Sequence, residues 1–166
     1  MSEILTELWD ILVPLLVAGL LGGFIGWERE TARKAAGLRT HMLVSLGCCG
    51  FIAVSMRFAT EQAALDDGFS IALDRIIQGV ITGMGFVGGG AILHYKDHIK
   101  GLTTATGIWV AGAIGLACGL REYIAAVVLT VLALTVLLAL HDVKQKAQEK
   151  SDADPEETEA PDDSSD

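Results

Sequence analysis

The sequence predicts an all-α membrane protein with five transmembrane helices. Five runs of 16 to 20 residues contain no Asp, Glu, Lys or Arg, and each approaches the roughly 20 residues that cross a bilayer core. A soluble chain of 166 residues is too small to bury all five. The predicted spans are 11–27, 41–58, 75–95, 102–120 and 123–140.

The distribution of charge separates a membrane domain from a tail. The net charge is −9, and residues 142–166 contain ten acidic and three basic side chains. We therefore expect a transmembrane domain over residues 1–141, followed by a short basic extension and a disordered, acidic cytoplasmic tail. Nucleic-acid binding is excluded because there is no basic excess, and three cysteines are too few for a disulfide scaffold.

Helix 1 is expected to be a retained span, because acidic residues and no Lys or Arg precede it. Basic residues near the helix ends predict the orientation. Nine Lys and Arg flank one side of the predicted membrane and three flank the other. The N-terminus is therefore predicted to be periplasmic and the C-terminus cytoplasmic, in a multi-pass bacterial inner-membrane protein.

Glycine placement predicts how the helices meet. Sixteen of the 19 glycines lie in helices 1 to 4, and helix 5 has none. Small residues four apart let helix backbones approach closely in lipid, so we expect a tight bundle of helices 1 to 4 with a more peripheral helix 5. The glycines expected to serve this packing are Gly22, Gly26, Gly79, Gly83, Gly85, Gly89, Gly115 and Gly119.

The two halves of the domain also resemble each other. A Gly-Phe-x-Gly sequence precedes a Gly-Leu-x-Thr turn in both, at Gly23–Thr40 and at Gly85–Thr104. This is consistent with a parallel repeat of two helices, although coincidence is an alternative for so short a match. In a repeat, Thr40 and Thr104 are expected to cap the helices that follow them.

Polar residues at the predicted cytoplasmic ends of helices 1, 2 and 4 form the first candidate site. Glu28 and Glu30 are weak candidates for holding a hydrated Mg²⁺, and otherwise no cofactor is expected. Equally, these carboxylates could pair with neighbouring arginines. Such structural pairing is favoured for any single residue, and a functional role is favoured for the cluster as a whole. The complete set is Glu28, Arg29, Glu30, Arg39, Thr40, His41, Thr103 and Thr104.

A second polar set begins helix 3 on the predicted periplasmic side: Asp74, Arg75, Gln78 and Thr82. Asp74 could simply cap the helix and complement its dipole. The polar face continues into the membrane, however, so we expect Asp74 and Gln78 to face the bundle interior or a dimer interface.

Enzymatic activity is not expected. The sequence Gly83-Met-Gly85-Phe-Val-Gly88 fits a dinucleotide-binding pattern, but it lies inside an apolar run with no strand before it. No nucleophile-elbow, P-loop or paired-cysteine metal motif is present.

Four motifs in order resemble the MgtC/SapB family of bacterial inner-membrane proteins. They are Gly26-Trp-Glu-Arg-Glu30, Gly37-Leu-Arg-Thr-His-Met-Leu-Val-Ser-Leu-Gly47, Asp74-Arg75 with Gly83-Met-Gly-Phe-Val-Gly-Gly-Gly90, and Gly101-Leu-Thr-Thr-Ala-Thr-Gly-Ile-Trp-Val-Ala111. The resemblance covers roughly residues 11–140. We expect a short form without the soluble C-terminal domain of many members.

The resemblance implies a regulatory function linked to low magnesium and membrane energetics. In virulence-associated members, this function supports survival within macrophages. It implies contacts with other membrane proteins, such as the F-type ATP synthase, and we also expect a homo-oligomer. The alternative is a transporter or channel for an ion or small solute, whose path Asp74, Gln78, Glu28 and Glu30 would line.

Overall fold

A computed structural model of the chain describes residues 1–65, 73–95 and 98–152, and it confirms the helical bundle. The five helices are α1 (Ser2–Thr31), α2 (Leu38–Leu65), α3 (Leu73–Gly90), α4 (Leu102–Gly119) and α5 (Tyr123–Asp152). Residues 1–134 form one compact unit, and a second unit begins at Thr135 within α5. The predicted tail from residue 153 onward lies outside the described residues.

Three helical segments are long and apolar enough to cross a membrane: Ile4–Thr31, Leu38–Gln62 and Leu102–Gly119. The apolar part of α5, Tyr123–Ala139, is shorter. Helix α3 is not among the three, and its first two turns contain Asp74, Arg75 and Gln78. Membrane spanning by α3 and α5 therefore stays a prediction.

Helix α3 is shorter than the third predicted span, which was expected to reach residue 95. Helix α3 ends at Gly90, after three consecutive glycines that disfavour helix. The chain then forms an antiparallel hairpin of β1 (Leu93–Tyr95) and β2 (His98–Lys100). Gly101 follows with φ of +93°, and a Cβ there would lie 2.1 Å from the Ala91 carbonyl oxygen. This turn into α4 therefore requires glycine.

Helices α1, α2 and α4 pack on one another through glycine. A Cβ at Gly115 of α4 would lie 2.1 Å from the carbonyl oxygen of Ser45 in α2. A Cβ at Gly22 of α1 would lie 2.7 Å from the Ser45 Cβ. A Cβ at Gly26 of α1 or at Gly119 of α4 would likewise lie 2.7 Å from an atom of α2. At Gly22, Gly26, Gly115 and Gly119, therefore, α2 lies between its two partners at backbone distance.

Helix α3 joins this core more loosely. It contacts α4 through Met84, whose side chain lies against Gly112, and through Gly88, which lies near the Ala105 carbonyl. Nothing in the described chain lies within 4 Å of a Cβ built at Gly79, Gly83, Gly85 or Gly89. Within the described part of a single chain these four glycines therefore have no close partner, and their role in helix packing stays a prediction.

Ion pairs show which ends of the core helices lie together. Arg57 near the end of α2 bonds Glu7 near the start of α1, and Arg121 just after α4 bonds Asp10. Helices α2 and α4 therefore run parallel to each other and antiparallel to α1. Helix α5 is peripheral, as predicted: Ala126 and Thr130 are buried, while most of its other described side chains are exposed or half-buried.

The close approach of α2 and α4 makes Gly115→Ala a direct test of the packing. The added methyl would collide with the Ser45 carbonyl, so we expect a loss of about 1–3 kcal/mol in the free energy of unfolding. The matched control is Gly83→Ala, where the space is open and the better helix propensity of alanine gives a gain of up to about 1 kcal/mol. Reversible unfolding in detergent measures both, and equal values for the two variants would contradict the packing.

Candidate functional site

The bundle buries several members of the predicted cytoplasmic set. Glu28, Arg29, His41 and Thr104 are buried, whereas Glu30, Arg39 and Thr103 are exposed and Thr40 is half-buried. Charged groups are rarely buried in proteins unless they are paired. The pairing of each buried group therefore decides what the site can do.

Glu28 and Arg29 form a buried ion pair at the end of α1. Arg29 Nη2 donates to Glu28 Oε1 at 2.6 Å, and Arg29 Nε donates to Oε2. This bidentate geometry is the strongest that a carboxylate and a guanidinium make. Both Glu28 oxygens therefore accept a hydrogen bond from the same arginine, and the charge of the carboxylate is balanced within the chain.

Glu30 connects α1 to the start of α2. Its Oε2 accepts a hydrogen bond from the backbone N–H of Leu38 at 2.8 Å, which satisfies one of the unpaired donors of the first turn. A Cβ at Gly37 would lie 2.7 Å from the same oxygen. No group of three His, Cys, Asp or Glu side chains in the described residues is arranged to hold a metal. Glu28 and Glu30 are thus each bonded within the chain, and a hydrated Mg²⁺ at these carboxylates stays a prediction.

The two threonines do not cap their helices as predicted. Helix α4 has Gly101 as its N-cap, without a side-chain cap hydrogen bond, and Thr104 lies inside the first turn. Helix α2 begins at Leu38, so Thr40 also lies inside its first turn, and Glu30 bonds the Leu38 N–H. The two turns still share one feature, since each helix begins directly after its glycine.

His41 is the most enclosed titratable side chain of the predicted set, with 0% exposure. Its Nδ1 lies 2.9 Å from the Gly37 carbonyl oxygen. Because a carbonyl only accepts, Nδ1 carries the proton and Nε2 is left as the acceptor of the neutral ring. Among the described residues Nε2 is buried without a hydrogen-bond partner, and it faces Gly107 of α4, where a Cβ would lie 3.2 Å away.

Ser45 lies one helical turn after His41 and was not predicted as a site residue. Its side chain is also 0% exposed, and its Oγ has no hydrogen-bond partner in the part of the chain that the structure describes. Gly22 and Gly115 enclose it from either side. Its position four residues after His41 places both side chains on one face of a helix. A single hydroxyl within an apolar run is common, however, so the sequence alone did not mark Ser45 as a site residue.

Together these side chains form one polar layer, which we define as Glu28, Arg29, His41 and Ser45 and call the His41 layer. Glycines of α1 and α4 enclose it, and the charges of Glu28 and Arg29 act on the His41 ring. A buried acceptor and a buried hydroxyl without partners are unusual and destabilising. The layer combines a strong ion pair with two buried polar groups that have no partner among the described residues.

The second predicted set lies on a different surface. Asp74, Arg75, Gln78 and Thr82 are all exposed on α3, and Thr82 Oγ1 donates to the Gln78 carbonyl at 2.7 Å. In a single chain Asp74 and Gln78 therefore do not face the bundle interior. The alternative, that they face a dimer interface, stays a prediction.

Comparisons with known proteins agree on one family. The chain matches the MgtC family over residues 15–146. It is 38% identical over 144 residues to the candidate magnesium transporter YhiD of Escherichia coli K12, a match covering 86% of this chain and 66% of YhiD. It is 32% identical over 139 residues to protein MgtC of Salmonella typhimurium LT2, covering 84% of this chain and 56% of MgtC. The chain thus spans about two thirds or less of these relatives, and no solved structure matches it.

The unpartnered hydroxyl of Ser45 leads to a stability prediction. Ser45→Ala keeps the packed Cβ and removes a buried polar group, so we expect the free energy of unfolding to rise by about 0.5–2 kcal/mol. The control is Ser55→Ala, whose exposed Oγ bonds the Phe51 carbonyl within α2, and there we expect little change. If Ser45→Ala is instead destabilising, the hydroxyl has a partner in the membrane and the description of the layer is wrong.

Proposed function

Because the chain belongs to the MgtC family, we propose that it is a regulatory protein of the bacterial inner membrane that acts through contacts with other membrane proteins. Its role is adaptation to low magnesium and to changes in membrane energetics. The N-terminus is periplasmic and the C-terminus cytoplasmic. The F-type ATP synthase is a candidate partner, as the family resemblance implies.

The observation that carries this proposal is the closed packing of α1, α2 and α4. At the level of Ser45, even a single added methyl group at Gly22 or Gly115 would collide with α2. A hydrated ion is far larger than a methyl group, and Mg²⁺ loses its water only reluctantly. Ion transport therefore has no route between these three helices as they are packed.

Helix α3 supplies a surface on which partner contacts are favourable. Gln78 and Thr82 are exposed on it together with four glycines that nothing in the described chain approaches. In hydrocarbon a glutamine side chain gains from a hydrogen-bond partner on another helix, and glycines let that helix approach closely. We place the contact with other membrane proteins, and with a second copy in a homo-oligomer, on this face.

A magnesium transporter is the second candidate, because the relative YhiD bears that description. Its path would have to follow another route, such as the cleft of about 500 Å³ between α2 and α3. Apolar side chains dominate that cleft, among them Phe51, Ile76 and Val87. Mg²⁺ requires oxygen ligands and water, so this cleft is poorly suited to it.

Two measurements separate the candidates. In the first, the purified chain in liposomes is tested with an enclosed magnesium indicator, and we expect influx at the level of empty liposomes. Influx above that level, abolished by Asp74→Asn, would establish transport and contradict the regulatory proposal.

In the second, a photo-crosslinking amino acid replaces Thr82 in cells grown at low magnesium, and mass spectrometry identifies the products. We expect crosslinks to another inner-membrane protein. The control is the same substitution at Leu132, which is exposed on the peripheral helix α5 and should give few products. Equal products from both positions would remove α3 as the contact surface.

A further inference from the structure

A cleft of about 450 Å³ opens at the end of the bundle opposite the His41 layer. It lies between the first turns of α1, the last turns of α2 and the end of α4. These positions fall at the ends of the three apolar segments that are long enough to cross a membrane. The cleft is therefore at the depth of lipid headgroups.

The cleft combines both signs of charge with an apolar floor. Arg57 bonds Glu7 at 3.2 Å and Glu61 at 2.9 Å, and Arg121 bonds Asp10 at 3.0 Å. Ile11, Pro14, Ala53 and Met56 line the same space. The charged side chains are 43–58% exposed, so their mutual pairs are weak and can rearrange around a ligand.

The guanidinium groups retain hydrogen-bonding capacity. Arg57 uses Nε and Nη2 in its bonds, and Arg121 uses Nη2. No contact in the described residues engages Nη1 of either side chain. Arginine favours phosphate oxygens, which match its planar arrangement of donors. Each arginine can therefore donate a hydrogen bond from Nη1 to a phosphate oxygen while it stays paired with its carboxylate.

The carboxylates decide which headgroup fits. Glu7, Asp10 and Glu61 accept hydrogen bonds from a primary ammonium, whereas a choline group has no N–H to donate. Three carboxylates against two guanidiniums leave the cleft with one net negative charge, which disfavours an anionic headgroup. A divalent cation alone fits poorly, because it has no acceptor for the free guanidinium N–H groups and would be repelled by the charges of Arg57 and Arg121.

We propose that this cleft is a binding site for a phospholipid with a primary-amine zwitterionic headgroup, phosphatidylethanolamine being the simplest case. The phosphodiester binds Arg57 and Arg121, and the ammonium binds the surrounding carboxylates. The first part of an acyl chain lies on Ile11, Pro14 and Met56. The bound lipid links α1 to α2 and to the end of α4, in addition to the ion pairs.

Native mass spectrometry of the delipidated full chain tests this site. The chain is offered equal amounts of phosphatidylethanolamine, phosphatidylcholine and phosphatidylglycerol with identical acyl chains. We expect phosphatidylethanolamine to occupy the first site with a preference on the order of tenfold. Equal occupancy by the three lipids would overturn the proposal.

Substitutions in the cleft test whether the preference for phosphatidylethanolamine arises there. Arg57→Gln with Arg121→Gln should remove the preference, because the phosphate then loses both partners. Glu7→Gln with Glu61→Gln keeps the guanidiniums and should make phosphatidylethanolamine and phosphatidylcholine bind equally, while phosphatidylglycerol gains. Lys100→Gln, at the exposed hairpin, is the control and should retain the preference. A preference that survives both double variants would place the lipid elsewhere.

A soluble competitor distinguishes a lipid from a free phosphate compound. Glycerophosphoethanolamine carries the same phosphodiester and ammonium without acyl chains, so it leaves the apolar floor empty. We expect no displacement of the lipid at millimolar concentration. Full displacement would show that the cleft takes the soluble headgroup and would overturn the assignment to lipid. Circular dichroism of each variant verifies that the helices remain folded.

Discussion

The approach of α4 to α2 at Ser45 is the constraint on which the rest of the structure depends. The Ser45 carbonyl occupies the space that a side chain at Gly115 would need, and Gly22 of α1 approaches the same residue from the other side. Hydrophobic association contributes little between helices in lipid, so this close packing is a main source of cohesion. It also closes the space between three helices that are able to cross the membrane.

The close packing buries polar groups, and these groups form the candidate site. With the three backbones this near, His41 Nε2 and Ser45 Oγ are buried without a partner among the described residues, while Glu28 and Arg29 pair with each other. Glycines of α1 and α4 enclose the His41 layer, so these three helices leave no space for a hydrated ion between them at the level of Ser45.

Much of the fold follows from the sequence, because uninterrupted apolar runs admit few structures in a bilayer. The five helices and the close contacts of Gly22, Gly26, Gly115 and Gly119 were predictable in this way. Glycine spacing shows only that a helix can be approached, and the glycines of α3 have the same spacing without a partner in the described chain. The hairpin after Gly90 was missed because a short strand and the end of an apolar helix contain the same residue types.

The candidate site was less predictable, since its bonds depend on tertiary contacts. The sequence placed Thr40 and Thr104 at helix starts, but the Leu38 N–H is bonded by Glu30 from the end of α1. Ser45 was not predictable, because its lack of a hydrogen-bond partner among the described residues depends on tertiary packing. Solid-state NMR in native lipid measures the closed core itself, through the correlation between the Ser45 carbonyl carbon and the Gly115 α-carbon. We expect a strong through-space signal, and its absence from a folded sample would contradict the closed core.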